Sequence, residues 1–576
     1  MLKTTERNNQ IMIELLKKHG IKKIVASPGG TNVTLIASIQ NDSFFEIYSA
    51  IDERSAAYIA CGLAEESGER VALSCTGATA ARNYFSGLTE AYYSKLPILA
   101  ITSTMPIERI GHNYPQLTDR RNVTNDIAKK SFHLPLVKDG EDEWYCMLNA
   151  NEAILELTHH GNGPVHVNLE TNSLDLAEDV IFKPVNKIER LYEIDKFPVI
   201  DFKRIGIYIG RHSKMSRELQ LAIDEFCEKY NAVVIGDHTS NYHGKYMVPS
   251  SLIANQLKYK ADCTNCDLLI HLGNISGAYL KINPKEVWRV NIDGKLCDNF
   301  KKLTKVFEMN ELQFFTKYNL LSKDKCVDYY NEWKSEYNNL YSKIPELPFS
   351  NAWVAKNLAP KLPQNSILHL GILNSLRCWN FFKIDNTINT YSNTGGFGID
   401  GCVSTLFGAS LANKSKIYFG IVGDLAFFYD MNVLGNRHFG NNVRLIIINN
   451  GKGQEFKNYG CRASQCGNDT EKFIAAAGHN GNKSRTLIKN YAENLGFKYL
   501  TASNKEEFLM IEAEFLNTQS DKSIILEVFT ETNDETQALK MLQVLEVDAK
   551  TQAKDIIKNM VGKKNIKKIK DMLKKK

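Results

Sequence analysis

IYFGIVGDLAFFYDMNVLGNRHFGNNVRLIIINNGKG, residues 417–453, holds two short apolar runs, 417–424 and 443–450, with helical sequence between them. Runs of this length read as buried strands, and a helical crossover between them makes the pair parallel. Asp424 closes the first run after Gly423, and Asn449–Asn450 close the second. In a parallel sheet both ends fall on one edge, where α/β folds bind their ligands. Asp424 and Asn450 then converge as oxygen ligands on one hard cation, with a backbone carbonyl of the Gly451–Gly453 turn, at Lys452, as a third. Magnesium takes one or two such side chains and completes its shell with water and phosphate oxygens. Taken singly, Asp424 also reads as a helix cap and the asparagines as a turn. Together they form a metal-bridged diphosphate site.

Working outward, the same alternation recurs. The runs 21–27, 45–51, 70–76 and 96–103 read as buried strands with helical sequence between, and 163–170 as one more. After a polar stretch with Pro184 and Pro198 the rhythm restarts at 204–210, 232–238, 268–274 and 286–293. The region 320–350 reads as a helical and extended linker, followed by strands at 366–372, 388–393, 417–424, 443–450 and 523–531. Alternation of this kind means βαβ units. The expected class is α/β, with three consecutive doubly wound parallel-sheet domains at 1–180, 195–320 and 345–545, then a tail at 549–576. A chain of 576 residues suits three domains at ~150–200 residues each.

The composition, 43% hydrophobic and 24% charged, is that of a soluble globular protein. No signal peptide opens the chain and no apolar run is long enough to span a bilayer. Twelve cysteines without framework spacing read as reduced thiols in a cytoplasmic protein. Cys263 and Cys266 form the one CxxC pair, and a zinc ribbon needs a second. From Lys550 to Lys576 there are eleven lysines against Asp555 and Asp571, so the net charge of +6 resides in the tail. Nucleic acid is excluded as a partner, because the basic bias lies outside the folded body. Ile556, Ile557, Met560, Val561, Ile566, Ile569 and Leu573 recur at helical spacing among those lysines. Such a helix suits weak contact with an anionic membrane surface, packing on its own protein, or a solvated tail.

Two further stretches carry chemistry. In YSAIDERSAAYIACGLAEESG (48–68), Glu53 stands where a strand gives way to a helix of small residues. A carboxylate at a helix start is favoured by the dipole alone, which is its structural reading. YSNTGGFGIDGCVSTLFGASLA (391–412) spaces its glycines as GGxGxxG, not the GxGxxG of a dinucleotide turn. GD followed by NN resembles the thiamine-diphosphate (ThDP) fingerprint of decarboxylases and carboligases. That resemblance implies a cofactor site of Glu53, Thr76, Gly77, Thr79, Gly398, Ile399, Asp400, Gly423, Asp424, Leu425 and Asn450. Glu53 would be the catalytic group, bonding the aminopyrimidine ring, and Ile399 the bulky support of the bent cofactor. Magnesium or manganese would sit on Asp424, Asn450 and Lys452.

The resemblance narrows at IDERSAAYIACGLAEESGERVALSCTGATAARNYFSGLTEAYYSKLPILAIT (51–102), SNTGGFGIDGCVST (392–405) and GDLAFFYDMNVL (423–434). These are similar to the 2-succinyl-5-enolpyruvyl-6-hydroxy-3-cyclohexene-1-carboxylate (SEPHCHC) synthase family, over residues about 10–175 and 350–535. It implies pyrimidine-binding, middle and diphosphate-binding domains, a 2-oxo acid donor with a small-molecule acceptor, and a homodimer or homotetramer with the active site between subunits. The substrate positions are Thr31, Asn32, Asn113, Gln116, Ser375, Thr394, Glu455 and Phe456.

The chain departs from that family where arginines hold carboxylates. PGSR becomes PGGT with Thr31, TADRPPE becomes TSTMPIE with Met105, and SNRG becomes SNTG with Thr394. A middle-domain basic pair is replaced by Gly277 and Ala278. Each lost charge-assisted hydrogen bond is worth roughly 1.5–3 kcal/mol. Arg82, Arg120, Arg121 and Arg377 could compensate from other positions, but none occupies one of the family's arginine positions. Glu455 replaces an apolar residue in GKGQEFKNYG, which suits a polyhydroxylated, sugar-derived acceptor; a surface glutamate on a loop is the alternative. A decarboxylase that ligates nothing, the family's own synthase and a non-catalytic binding protein are the other readings.

Overall fold

The computed structural model describes residues 2–172, 175–278, 280–320, 325–479 and 484–548. The tail at 549–576 lies outside the described residues. Parallel sheets flanked by helices make the chain an α/β protein, and two compact units divide it: residues 1–192 with 294–306, and residues 193–293 with the chain from 307 onward.

In the first unit six parallel strands lie in the order Glu46–Ser49, Lys23–Ala26, Val71–Cys75, Ile98–Thr104, Val165–Glu170, Ser131–Leu134. Val71–Cys75 and Ile98–Thr104 are buried throughout, because helices cover both faces of a parallel sheet. Arg7–Lys18 and Gly140–Glu156 pack on one face through Ile11, Leu15, Ala150 and Ile154. Glu53–Ser67 and Phe85–Tyr93 pack on the other through Ala56, Ala57, Ala60 and Leu88. The small residues after Glu53 have a direct cause: a Cβ on Gly87 would stand 2.5 Å from the Ala57 Cβ, so these helices meet at backbone range. Strand order reverses between Lys23–Ala26 and Val71–Cys75, which places the loops 27–31 and 76–78 at a switch point, the usual ligand crevice.

The second unit holds two sheets. One contains Met247–Pro249, Ala232–Gly236, Ile205–Ile209, Asn265–Leu272 and Asn283–Val290 in that order, all parallel. The other runs Asn389–Tyr391, Ile367–Leu370, Tyr418–Gly423, Val443–Asn449, Ile524–Phe529, Lys498–Ala502, also parallel. Its order reverses between Ile367–Leu370 and Tyr418–Gly423, so Asp424 emerges at that switch point.

Three expectations need correction. The strand at 45–51 is present as Glu46–Ser49 but is a sheet edge, largely exposed rather than buried, and Ile51 beyond it is 85% exposed. The region 320–350 is no mere linker: helix Asp328–Ser342 buries Tyr329, Trp333, Tyr337 and Leu340 in the second unit. Ser131–Leu134 and Lys498–Ala502 are strands that the apolar pattern did not mark. Both are edge strands, which one neighbour suffices to hold. Among the described residues no helix is long and apolar enough to cross a membrane.

Candidate active site

Parallel pairing sets Gly423 beside Ile448, so the residues just beyond both strands share one edge. Asp424 opens helix Asp424–Asp430 and is only 4% exposed. Its Oδ1 accepts from the Leu425 N–H at 2.9 Å and its Oδ2 from the Gly451 N–H at 2.7 Å. Burial pushes its carboxyl up to about 7. Asn450 Oδ1 is buried without a hydrogen-bond partner among the described residues. A buried carboxylate beside an orphaned amide oxygen is costly unless a cation joins them. The donor set of hard oxygens fits a divalent metal. Lys452 pairs its ammonium with Glu471 at 2.5 Å, leaving its backbone carbonyl as its one oxygen donor.

The two asparagines divide their work. Asn449 donates to Glu527 Oε1 at 2.6 Å, and the Tyr499 hydroxyl donates to Oε2 at 2.7 Å. Buried Asn449 and Glu527, with half-buried Tyr499, anchor the turn and leave Asn450 Oδ1 outside their network. Glu535 lies nearby, buried, accepting from the Asn351 N–H at 2.9 Å, and burial pushes its carboxyl up to about 7. None of Glu527, Tyr499 and Glu535 was singled out in the sequence, although a lone glutamate inside SIILEVF was a visible signal.

Glu535 carries a pH consequence. Its folded pKa is raised from 4.5, so the native state holds a proton that the unfolded chain releases. Stability from this group therefore falls as pH rises from about 4.5 to about 7 and stays reduced above. In metal-free protein Glu535→Gln is expected to be more stable than the parent above neutrality, by up to about 3 kcal/mol. The gap should vanish in acid. Urea titrations at several pH values read this directly.

Gly398, Ile399 and Asp400 occupy the loop before helix Cys402–Ala412, with Ile399 half-buried against the core under that sheet. Ser375 is buried, its hydroxyl accepting from the Asn351 amide at 3.4 Å. Thr394 is 0% exposed, and its hydroxyl has no partner among the described residues. A Cβ on Gly277 would stand 2.1 Å from Leu376 Cδ2 and 3.3 Å from Thr394 Cγ2. Thr394 thus packs its methyl group close to Gly277 and keeps a buried, unsatisfied hydroxyl.

Glu455 is not a solitary surface carboxylate. Arg377 Nη1 donates to its Oε2 at 2.5 Å and Nη2 to its Oε1 at 3.0 Å. The pair lines a cavity of about 300 Å³ with Gly277, Ala278, Lys281 and Asn458. Phe456, beside it in the turn Gln454–Lys457, is partly exposed.

In the first unit Glu53 is the first residue of its helix, and the cap is Asp52, which accepts from the Arg54 and Ser55 N–H groups. Glu53 is therefore not needed as the cap. Its Oε2 accepts from the Asn83 amide at 3.2 Å. Thr31 and Thr76 join hydroxyls at 2.6 Å across the switch point. Gly77 follows Thr76, and Thr79 opens helix Thr79–Asn83 after Ala78, whose φ is 58°. Asn32 is buried, its amide donating to the Ser27 carbonyl at 3.0 Å, a loop-fixing position. Asn113 and Gln116 are exposed, both with φ 59°. Of the arginines weighed as replacements, Arg121 is paired with Asp119 and Arg82 donates to the Asp119 carbonyl. Arg120 is buried against Asn168 and Ser103 O.

Residues 7–123 match the family described as thiamine pyrophosphate enzyme, N-terminal TPP binding domain. The chain is 31% identical over 562 residues to the SEPHCHC synthase of Bacteroides fragilis, covering 93% of this chain and 98% of that protein. It is 29% identical over 558 residues to the enzyme of that name from Bacteroides thetaiotaomicron, with 93% and 98% covered. To the one from Flavobacterium psychrophilum it is 29% identical over 554 residues, with 91% and 96% covered.

Proposed function

Since the chain belongs to the SEPHCHC synthase family of ThDP-dependent enzymes, we propose that it is a 2-oxo acid decarboxylating carboligase whose acceptor differs from that of the synthase proper. ThDP, when bound, supplies the carbon nucleophile and electron sink that decarboxylation and carbon–carbon bond formation require. Asp424 and Asn450, with the Lys452 carbonyl, would hold its diphosphate through a divalent ion. Gly398–Asp400 and Gly423–Leu425 would line the cofactor, with Ile399 supporting its bend. Glu53 would hydrogen-bond the aminopyrimidine ring and control its proton, between Thr76, Gly77 and Thr79 of the same edge.

We also place Glu53 at an interface between copies of this chain. Its helix leaves Tyr58 47% and Ile59 43% exposed beside Ile51, an apolar surface that a second copy would cover. A homodimer or homotetramer in the cytoplasm suits this surface and the twelve free thiols.

The observation that carries the acceptor reading is that the buried Thr394 lies close to Gly277, with a cation at neither position. Where the family resemblance puts cations for carboxylates, this chain has a buried threonine, a glycine, Thr31 and Met105. A polyhydroxylated, sugar-derived acceptor is the class we favour. The family's own reaction, 2-oxoglutarate with isochorismate, is the second reading, favoured by similarity along the whole chain. Mass spectrometry of products from paired donor and acceptor libraries tests both. We expect CO₂ release that needs ThDP and magnesium, and adducts of a neutral hydroxylated carbonyl compound. SEPHCHC as the dominant product would overturn the acceptor reading, and an aldehyde alone would mean a decarboxylase.

A further inference from the structure

We propose that the Arg377–Glu455 pair is the specificity element of the acceptor cavity: it admits a neutral segment with neighbouring hydroxyls and turns away carboxylates. The proposal deepens the carboligase reading and rests on it for the word acceptor.

Both ends of the pair are held. The guanidinium grips Glu455 through two hydrogen bonds, at 2.5 and 3.0 Å, the fork geometry in which an arginine and a carboxylate satisfy each other. Arg377 Nη1 also donates to Asn374 Oδ1 at 3.3 Å. Asn458, 3% exposed, donates to Asn374 Oδ1 at 2.6 Å and to Glu455 Oε2 at 3.2 Å. Side-chain exposures of 24% and 26% leave one edge of the ion pair turned to the cavity of about 300 Å³. The other cation on its wall, Lys281, directs its ammonium to the Gln256 carbonyl at 3.4 Å. The cation that the pair itself contributes is thus already matched by Glu455.

The consequence is electrostatic. A carboxylate approaching the pair meets a guanidinium that already grips one carboxylate, with Glu455 within hydrogen-bond distance of the same atoms. Displacing Glu455 instead would leave a half-buried carboxylate without its counter-charge, which is strongly unfavourable. A hydroxyl faces neither obstacle. It accepts from an Nη and donates to an Oε, so two neighbouring hydroxyls fit along the pair without separating its charges.

A pair that merely tethers helix Asn374–Trp379 to the turn Gln454–Lys457 would change stability on mutation, but not the order of ligand preference. The test is therefore calorimetric binding to the full-length protein without donor. The probes are ribose as the neutral polyol and 2-methylsuccinate as the dicarboxylate. In Glu455→Leu the guanidinium is freed. We expect the dicarboxylate to bind at least about 10-fold more tightly and ribose about 10-fold more weakly, the worth of one charge-assisted hydrogen bond. Arg377→Met with Glu455→Leu should bind both weakly. The exchanged pair, Arg377→Glu with Glu455→Arg, should keep the parent's preference and serves if Glu455→Leu fails to fold. Selectivity changing by less than about 3-fold in Glu455→Leu, or lost in a folded exchanged pair, overturns the proposal. Because the probes are bound and not turned over, failure to find carboligation products would sink the reaction and leave this result standing.

Discussion

Glu53→Gln is expected to lower the rate of ThDP-dependent CO₂ release by about 10²–10⁴-fold, the range for loss of a proton-handling group. The fold should barely register the change. Asp52, not Glu53, caps the helix, and the helix interior is fixed by the close Ala57–Gly87 contact. Removing one negative charge from a helix start costs only about 0.3–1 kcal/mol. Glutamine keeps the length of the side chain and can still accept from the Asn83 amide. The pairing of a large kinetic loss with a nearly unchanged melting temperature is what separates a cofactor contact from a helix-dipole residue. A variant retaining activity within about 10-fold of the parent would remove Glu53 from the chemistry.

Asp424→Asn should abolish the magnesium-dependent binding of ThDP, weakening it by more than about 10²-fold, since even an outer partner of a metal ligand contributes 10–100-fold. In the metal-free protein the same substitution should cost progressively less stability, relative to the parent, as pH rises towards neutrality. Burial raises this carboxyl from 3.8 to about 7, so charging it in the native state costs stability as pH rises through that interval. Asparagine removes the cost but keeps an acceptor for only one of the Leu425 and Gly451 N–H groups, which offsets part of the gain. Titration calorimetry with ThDP and magnesium, together with melting curves with and without both, reads the two effects separately. In the parent the ligands should raise the melting temperature by linkage, and in Asp424→Asn they should not. A variant that still gains stability from ThDP with magnesium would move the metal elsewhere.

Much of this architecture follows from local pattern. The buried strands are short apolar runs, and the shared edge of Asp424 and Asn450 can be inferred because GD and NN close two of them. Ser131–Leu134 and Lys498–Ala502 escaped because sheet position, not composition, makes them extended, whereas Glu46–Ser49 was marked but as buried, since its place at the rim is not written in its residues. The site was half legible for a different reason. Spacing along the chain identifies Asp424 and Asn450, but which asparagine faces a ligand depends on Glu527, 78 residues away. Arg377 and Glu455 are likewise separated by 78 residues. Each has an ordinary reading alone, and only their approach in the fold turns two charges into one neutral wall.

Gly277 gives the history of such a pocket a direction. Because the buried Leu376 stands where any side chain at 277 would begin, a single substitution restoring a basic residue there meets a collision before it gains an anion. On the proposed acceptor reading, relieving that collision means moving or shrinking Leu376, and shrinking it opens a hole in the interior. The proposed preference would thereby be protected against easy reversion, much as a ratchet tooth holds a wheel.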